Sequence, residues 1–185
     1  MFCLGIKLHC SFVFACLNLD SFDTSRVNNM NRMFDGCKLI SSLNIQNFDT
    51  SKVTNMDLLF FKCGFLSSLN LSNFDTWKVT SMKYMFFDCK ALTSLDLSNF
   101  ETGNVTTMNL MFFSCIRLAS LNLSSFDTSK VTDMEGMFSN CKLIPVLNAI
   151  ILVENVLLKI VNLIVMMNVI FLLKEKNLKH QIILN

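Results

Sequence analysis

Apolar and small polar residues alternate in Ser68-Leu69-Asn70-Leu71-Ser72, the period of two expected of a strand with one face buried. The figure returns every 26 residues, as Leu17-Asn18-Leu19, Leu43-Asn44-Ile45, Leu69-Asn70-Leu71, Leu95-Asp96-Leu97 and Leu121-Asn122-Leu123. A sixth start, Leu147-Asn148-Ala149, keeps the phase and then fades. Other columns share the spacing: Phe22, Phe48, Phe74, Phe100 and Phe126; Val27, Val53, Val79, Val105 and Val131; Met30, Met56, Met82, Met108 and Met134; Cys37, Cys63, Cys89, Cys115 and Cys141. Such registration predicts stacked coils in which like side chains lie above like.

Each coil predicts a short strand, and the strands of successive coils form a parallel sheet with one face open to water. Asp49-Thr50-Ser51 offers a side-chain cap, and Val53, Met56, Leu59, Phe60 and Cys63 follow at intervals of three or four. That spacing predicts a short amphipathic helix on the convex side. Ile40, Leu66, Leu92, Leu118 and Ile144 bring the chain inward before the next strand. The expected fold is therefore an α/β solenoid, with parallel strands on one face and short helices on the other. Residues 17–146 hold the five repeats, 1–16 an N-terminal segment and 147–185 an apolar tail.

The unit Leu-x-Ser-Leu-Asn-Leu-Ser-x-Phe-Asp-Thr-Ser-Lys-Val-Thr-x-Met-x-x-Met-Phe-x-x-Cys, read from Leu92 into Cys141, closely resembles the BspA-like leucine-rich-repeat surface proteins, many of them bacterial lipoproteins and secreted proteins. The resemblance covers about Leu17 to Leu147. It implies a leucine-rich-repeat fold and a cell-surface or secreted module that adheres to host or matrix proteins or to glycans, with no catalytic residues to carry over. Departures are modest: Leu59 stands for the usual Met, Glu101 for Asp, and Gly103-Asn104 for Ser-Lys.

Composition narrows the function. A hydrophobic share of 52%, eighteen phenylalanines and a single proline exclude a disordered chain, and a formal charge of +2 provides no field for nucleic acid. His9 and His180 lie outside the repeats, and no Gly-rich phosphate loop or Cys-x-x-Cys pair occurs. The expectation is a non-enzymatic protein without cofactor or metal. One carboxylate per coil is too few for calcium; Asp23, Asp49, Asp75, Glu101 and Asp127 are expected instead to cap the helices and partner Arg26, Lys52, Lys78 and Lys130. The cysteine column admits disulfides, a metal site or buried thiols. Five equivalent cysteines cannot all pair with one another, so buried thiols are expected. Cys3, Cys10 and Cys16 fall off the column, and Val13-Phe14-Ala15-Cys16 faintly resembles a lipoprotein cleavage site, although a degraded first repeat or cap explains 1–16 equally well.

Three readings compete for Leu143 to Leu173: a capping helix that seals the last coil, a membrane anchor, or a shifted reading frame. Its longest uncharged run, Ile160 to Leu173, is shorter than the ~20 residues that span a bilayer. Asn155 to Leu173 would span if Lys159 snorkelled. Membrane association thus rests on the tail alone.

Two surfaces are candidates for binding. The strand face presents Ser42, Ser68, Ser94 and Ser120 beside Asn44, Asn70, Asp96 and Asn122; the convex side presents Phe61, Phe87 and Phe113, flanked by Asp35 and Ser139 in the outer coils. The strand face is expected to hydrogen-bond a protein or glycan at a cell surface or outside the cell. The aromatic stripe is expected either to tuck between adjacent helices or to pack against the tail or a second copy. The alternative function is an intracellular scaffold for protein–protein interaction with the same repeats. Asn70, Asn104 and Asn122 match the glycosylation sequon, which discriminates only in a eukaryotic secretory route.

Overall fold

A computed structural model describes residues 19–141. The readings placed on 1–16 and on the tail from 147, including Cys3, Cys10, Cys16, His9 and His180, lie outside the described residues. Within them the chain winds into coils of 26 residues stacked in parallel. A strand was expected in every coil, but among the described residues only two coils form one, β1 (Ser94–Asp96) and β2 (Ser120–Asn122), in a two-stranded sheet. They pair with Ser94 opposite Ser120, Leu95 opposite Leu121 and Asp96 opposite Asn122, the one-coil offset that the repeat dictates.

The helices predicted for the convex side are not formed: the described residues contain no helix, which corrects the expected α/β class. The reason lies in where the backbone N–H groups go. In the second coil Met56, Leu58, Phe60 and Lys62 donate to the carbonyls of Ser81, Lys83, Met85 and Phe87 of the next coil, at 3.1, 2.8, 2.9 and 2.7 Å. Those donors are no longer available for bonds within a helix. The intervening Leu59, Phe61 and Cys63 donate three residues back, to Met56, Leu58 and Phe60, so the segment is a run of tight turns. Leu58 and Lys62 take φ of 56° and 58°, the left-handed conformation required at the third position of a type II turn. The same two columns are left-handed in other coils, at Arg32, Gly36, Tyr84, Asp88, Leu110, Ser114, Gly136 and Asn140. Three- and four-residue steps return the chain to one face in successive turns as they do in a helix, and that is why the spacing read as helical.

The acidic column is corrected with the helix. Asp49 Oδ1 accepts the N–H of Ser51 at 2.9 Å, and Asp23 and Asp127 accept from Ser25 and Ser129 in the same way; these are Asx turns, not helix caps. Lys52 Nζ, expected to pair within its own coil, donates instead to the Ser25 carbonyl of the preceding coil at 2.8 Å.

The core is built of columns. Phe34, Phe60, Phe86 and Phe112 are fully buried, and with Phe138 their rings stack near-parallel at 5.4, 5.5, 5.4 and 5.5 Å between centroids, within the favourable range for aromatic pairs. Polar staples join the coils. Each buried threonine of the column Thr24, Thr50, Thr76 and Thr102 accepts the N–H of a residue in the next coil at 2.8 Å and donates to that residue's carbonyl. Asn73 Nδ2 reaches back to the carbonyls of Ile45 and Phe48, both at 3.0 Å, and Asn99 repeats the contact one coil on.

The cysteine column divides. Cys63, Cys89, Cys115 and Cys141 are free thiols, each donating to a phenylalanine carbonyl of the preceding coil at 2.9 to 3.1 Å. Cys37 is disulfide-bonded, so the expectation of a wholly reduced column fails at its first member. Burial pushes the Cys63 thiol up to about 12 and that of Cys141 up to about 11, because a thiolate would lose its hydration there.

Candidate functional site: the strand-side groove and the aromatic stripe

The strand segments line a groove of about 880 Å³. Its walls carry Ser42, Ser68, Ser94 and Ser120 beside Asn70, Asp96 and Asn122, and Leu43, Leu69, Leu95 and Leu121 also line it. In β1 and β2 the pleat turns alternate residues outward, which sets Ser94 opposite Ser120, and the 26-residue repeat places Ser42 and Ser68 in the same column. Asn44 does not line the groove; its Nδ2 lies 3.4 Å from Asp20 Oδ1 at the N-terminal end.

The amide and carboxylate column is fixed by local turns. Asn70 Oδ1 accepts the N–H of Ser72 at 3.1 Å, Asp96 Oδ1 that of Ser98 at 3.0 Å, and Asn122 Oδ1 that of Ser124 at 3.1 Å. Held by its own turn, each side chain keeps a set orientation at the strand end. Asp96 is the one charged group among the lining residues. Bonds from the backbone and side chain of Ser98, aided by Asn122, hold its carboxyl below the usual range, so it stays an acceptor at neutral pH. The groove therefore offers hydroxyls, amides and one carboxylate along an apolar floor, at a repeat of roughly 4.8 Å. Such a surface can hydrogen-bond an extended polar chain laid along the stack. Ser72 and Ser98, which also line the groove, escaped the sequence reading; their position two residues after an Asn or Asp is the Asx-turn signal that marks them.

Phe61, Phe87 and Phe113 lie on the turn segments, apart from the strands. They are half-buried and stack on one another at 4.9 and 4.7 Å. Tyr84 meets Phe61 edge-on at 6.3 Å, and the Lys62 ammonium lies 4.9 Å from the Phe61 centroid. Each ring thus covers much of its neighbours' apolar faces, and the stripe is a second, outer aromatic column. Among the described residues no group of three or more His, Cys, Asp or Glu side chains is arranged to hold a metal ion.

A family model described as "Mycoplasma protein of unknown function, DUF285" matches residues 8–95 and again residues 66–146. The two matches overlap, as expected when a repeated unit is matched in more than one phase. No curated protein and no solved structure matches the chain.

Proposed function

This chain belongs to the Mycoplasma family of unknown function DUF285, and we propose that it is a non-enzymatic binding module whose ligand lies along the strand-side groove. The observation that carries this reading is the lining itself: four serine hydroxyls in one row, flanked by turn-fixed amides, around about 880 Å³ of open volume. Regular donors and acceptors on a rigid stack suit an extended protein segment or glycan, and concave faces of stacked repeats are a common place for such contacts. The resemblance of the repeat unit to BspA-like surface proteins favours adhesion at a cell surface, to host or matrix proteins or glycans.

The test uses the whole chain against immobilised matrix proteins and oligosaccharides. A ligand retained by the wild type should lose at least about tenfold in affinity in the variant Ser68→Arg/Ser94→Arg, which fills the groove with two long side chains while both positions stay exposed. Undiminished binding by a folded variant would remove the groove from the mechanism.

A further inference from the structure

In four coils a carboxylate accepts the N–H two residues on: Asp23 from Ser25, Asp49 from Ser51, Asp75 from Trp77 and Asp127 from Ser129, at 2.9, 2.9, 3.2 and 2.9 Å. The fourth coil carries Glu101 and Gly103 in those columns. Glutamate is longer by one methylene and does not close the turn. Among the described residues no hydrogen bond engages the Glu101 carboxylate or the Gly103 N–H, although Glu101 and Gly103 are only two residues apart.

One coil away, in register with Gly103, is Trp77. It is the single tryptophan of the chain, 47% exposed, where the corresponding residues are Ser25, Ser51 and Ser129. Asn104 takes the place held elsewhere by Lys52, Lys78 and Lys130; its Nδ2 donates to the Trp77 carbonyl at 2.8 Å, and its Oδ1 accepts from Lys130 Nζ at 2.8 Å. A Cβ at Gly103 would stand 3.2 Å from Asp127 Oδ2, so the glycine leaves room for that carboxylate to lean over the coil. Four departures from the repeat, at Trp77, Glu101, Gly103 and Asn104, fall on one patch.

We propose that this patch is a second binding site, taking a neutral saccharide. A pyranose has an apolar C–H face that stacks on an indole, and hydroxyls that both donate and accept. The Glu101 carboxylate accepts from one hydroxyl, and the Gly103 N–H donates to another or to an acetamido oxygen. The Lys78 ammonium lies over one face of the Trp77 ring, 4.7 Å from its centroid, so it already holds the cation–π position that a cationic ligand would take, and the sugar stacks on the opposite face. The site lies outside the groove-lining set and does not depend on what the groove binds.

Trp77 is its own reporter. Its fluorescence in the intact chain is titrated with chitotriose, cellotriose, maltotriose and lactose, with choline chloride and sialyllactose as cationic and anionic comparators. The expected result is a saturable change with a neutral sugar, at a Kd of about a millimolar or tighter. The variant Glu101→Asp/Gly103→Ser, which reinstates the Asp-x-Ser turn of other coils, should weaken that sugar at least about tenfold while still unfolding in one cooperative thermal transition. Trp77→Ser, followed by calorimetry, should abolish binding, whereas Ser68→Arg/Ser94→Arg should leave the titration unchanged. The proposal is overturned if no neutral sugar gives a saturable change, if choline saturates the signal instead, or if the reinstated-turn variant or Trp77→Ser binds as the wild type does.

Discussion

The Thr50 hydroxyl accepts the N–H of Asp75 at 2.8 Å and donates to the carbonyl of the same residue at 2.9 Å, so one side chain closes two hydrogen bonds between adjacent coils. Thr50→Val keeps the shape and removes both bonds, leaving a buried backbone donor and acceptor unpaired. The expected loss is about 1–3 kcal/mol, read from urea unfolding. A change below about 0.5 kcal/mol would mean that water satisfies those groups.

Phe86 lies between Phe60 and Phe112, with ring centroids 5.5 and 5.4 Å away, and is fully buried. Phe86→Ala should cost about 3–5 kcal/mol, because rigid coils above and below cannot both collapse into the space. Phe87→Ala, one residue on and half-buried, should cost markedly less in the same denaturation experiment. Equal losses would place the outer stripe in the core.

Lys62 is exposed, with φ of 58°, and Gly36 occupies its column one coil earlier with φ of 71°. Lys62→Gly should therefore leave stability unchanged or raise it by up to about 1 kcal/mol, the loss of the Lys62–Phe61 contact offsetting part of the gain. In a helix the same change would cost about 1 kcal/mol. The sign of the shift in unfolding midpoint distinguishes turn from helix.

Cys63, Cys89, Cys115 and Cys141 all hold their protons more tightly in the fold than a free thiol does, chiefly through burial. A raised folded value means that the contribution is intact below the unfolded thiol pKa of about 8.5 and declines as pH climbs from there through the folded values. Stability should fall between about pH 9 and 12, and Cys63→Ala/Cys89→Ala should fall less steeply over that range. Identical slopes would show that the thiols ionise as freely folded as unfolded. At neutral pH, alkylation of the buried Cys63, Cys89 and Cys115 should require denaturation.

The period, the buried columns and the alternation seen in β1 and β2 were legible, because Val53, Met56, Phe60 and Cys63 must face inward whichever backbone carries them. The backbone itself was not legible. Leu58 and Lys62 are left-handed in spite of their side chains, since the next coil captures the N–H groups around them, and a tertiary bond of that kind leaves no local trace. Gly36, Gly136 and Asn140, residue types at ease with positive φ, were the available hint. The serine and asparagine row of the groove followed from alternation. The patch around Trp77 did not, because Glu101 and Gly103 read as drift until the turn they fail to close is seen beside the indole.

The groove is tested most directly by whether a ligand shields it. Ser94 lines the groove, Thr80 is exposed and does not, and the buried thiols leave either position suitable for an introduced cysteine. With a ligand identified from the immobilised panel, alkylation of Ser94→Cys, followed residue by residue by mass spectrometry, should slow at least about tenfold at saturation, whereas Thr80→Cys should react at an unchanged rate. Alkylation of Ser94→Cys at the same rate with and without saturating ligand would contradict the assignment of the groove as the binding site.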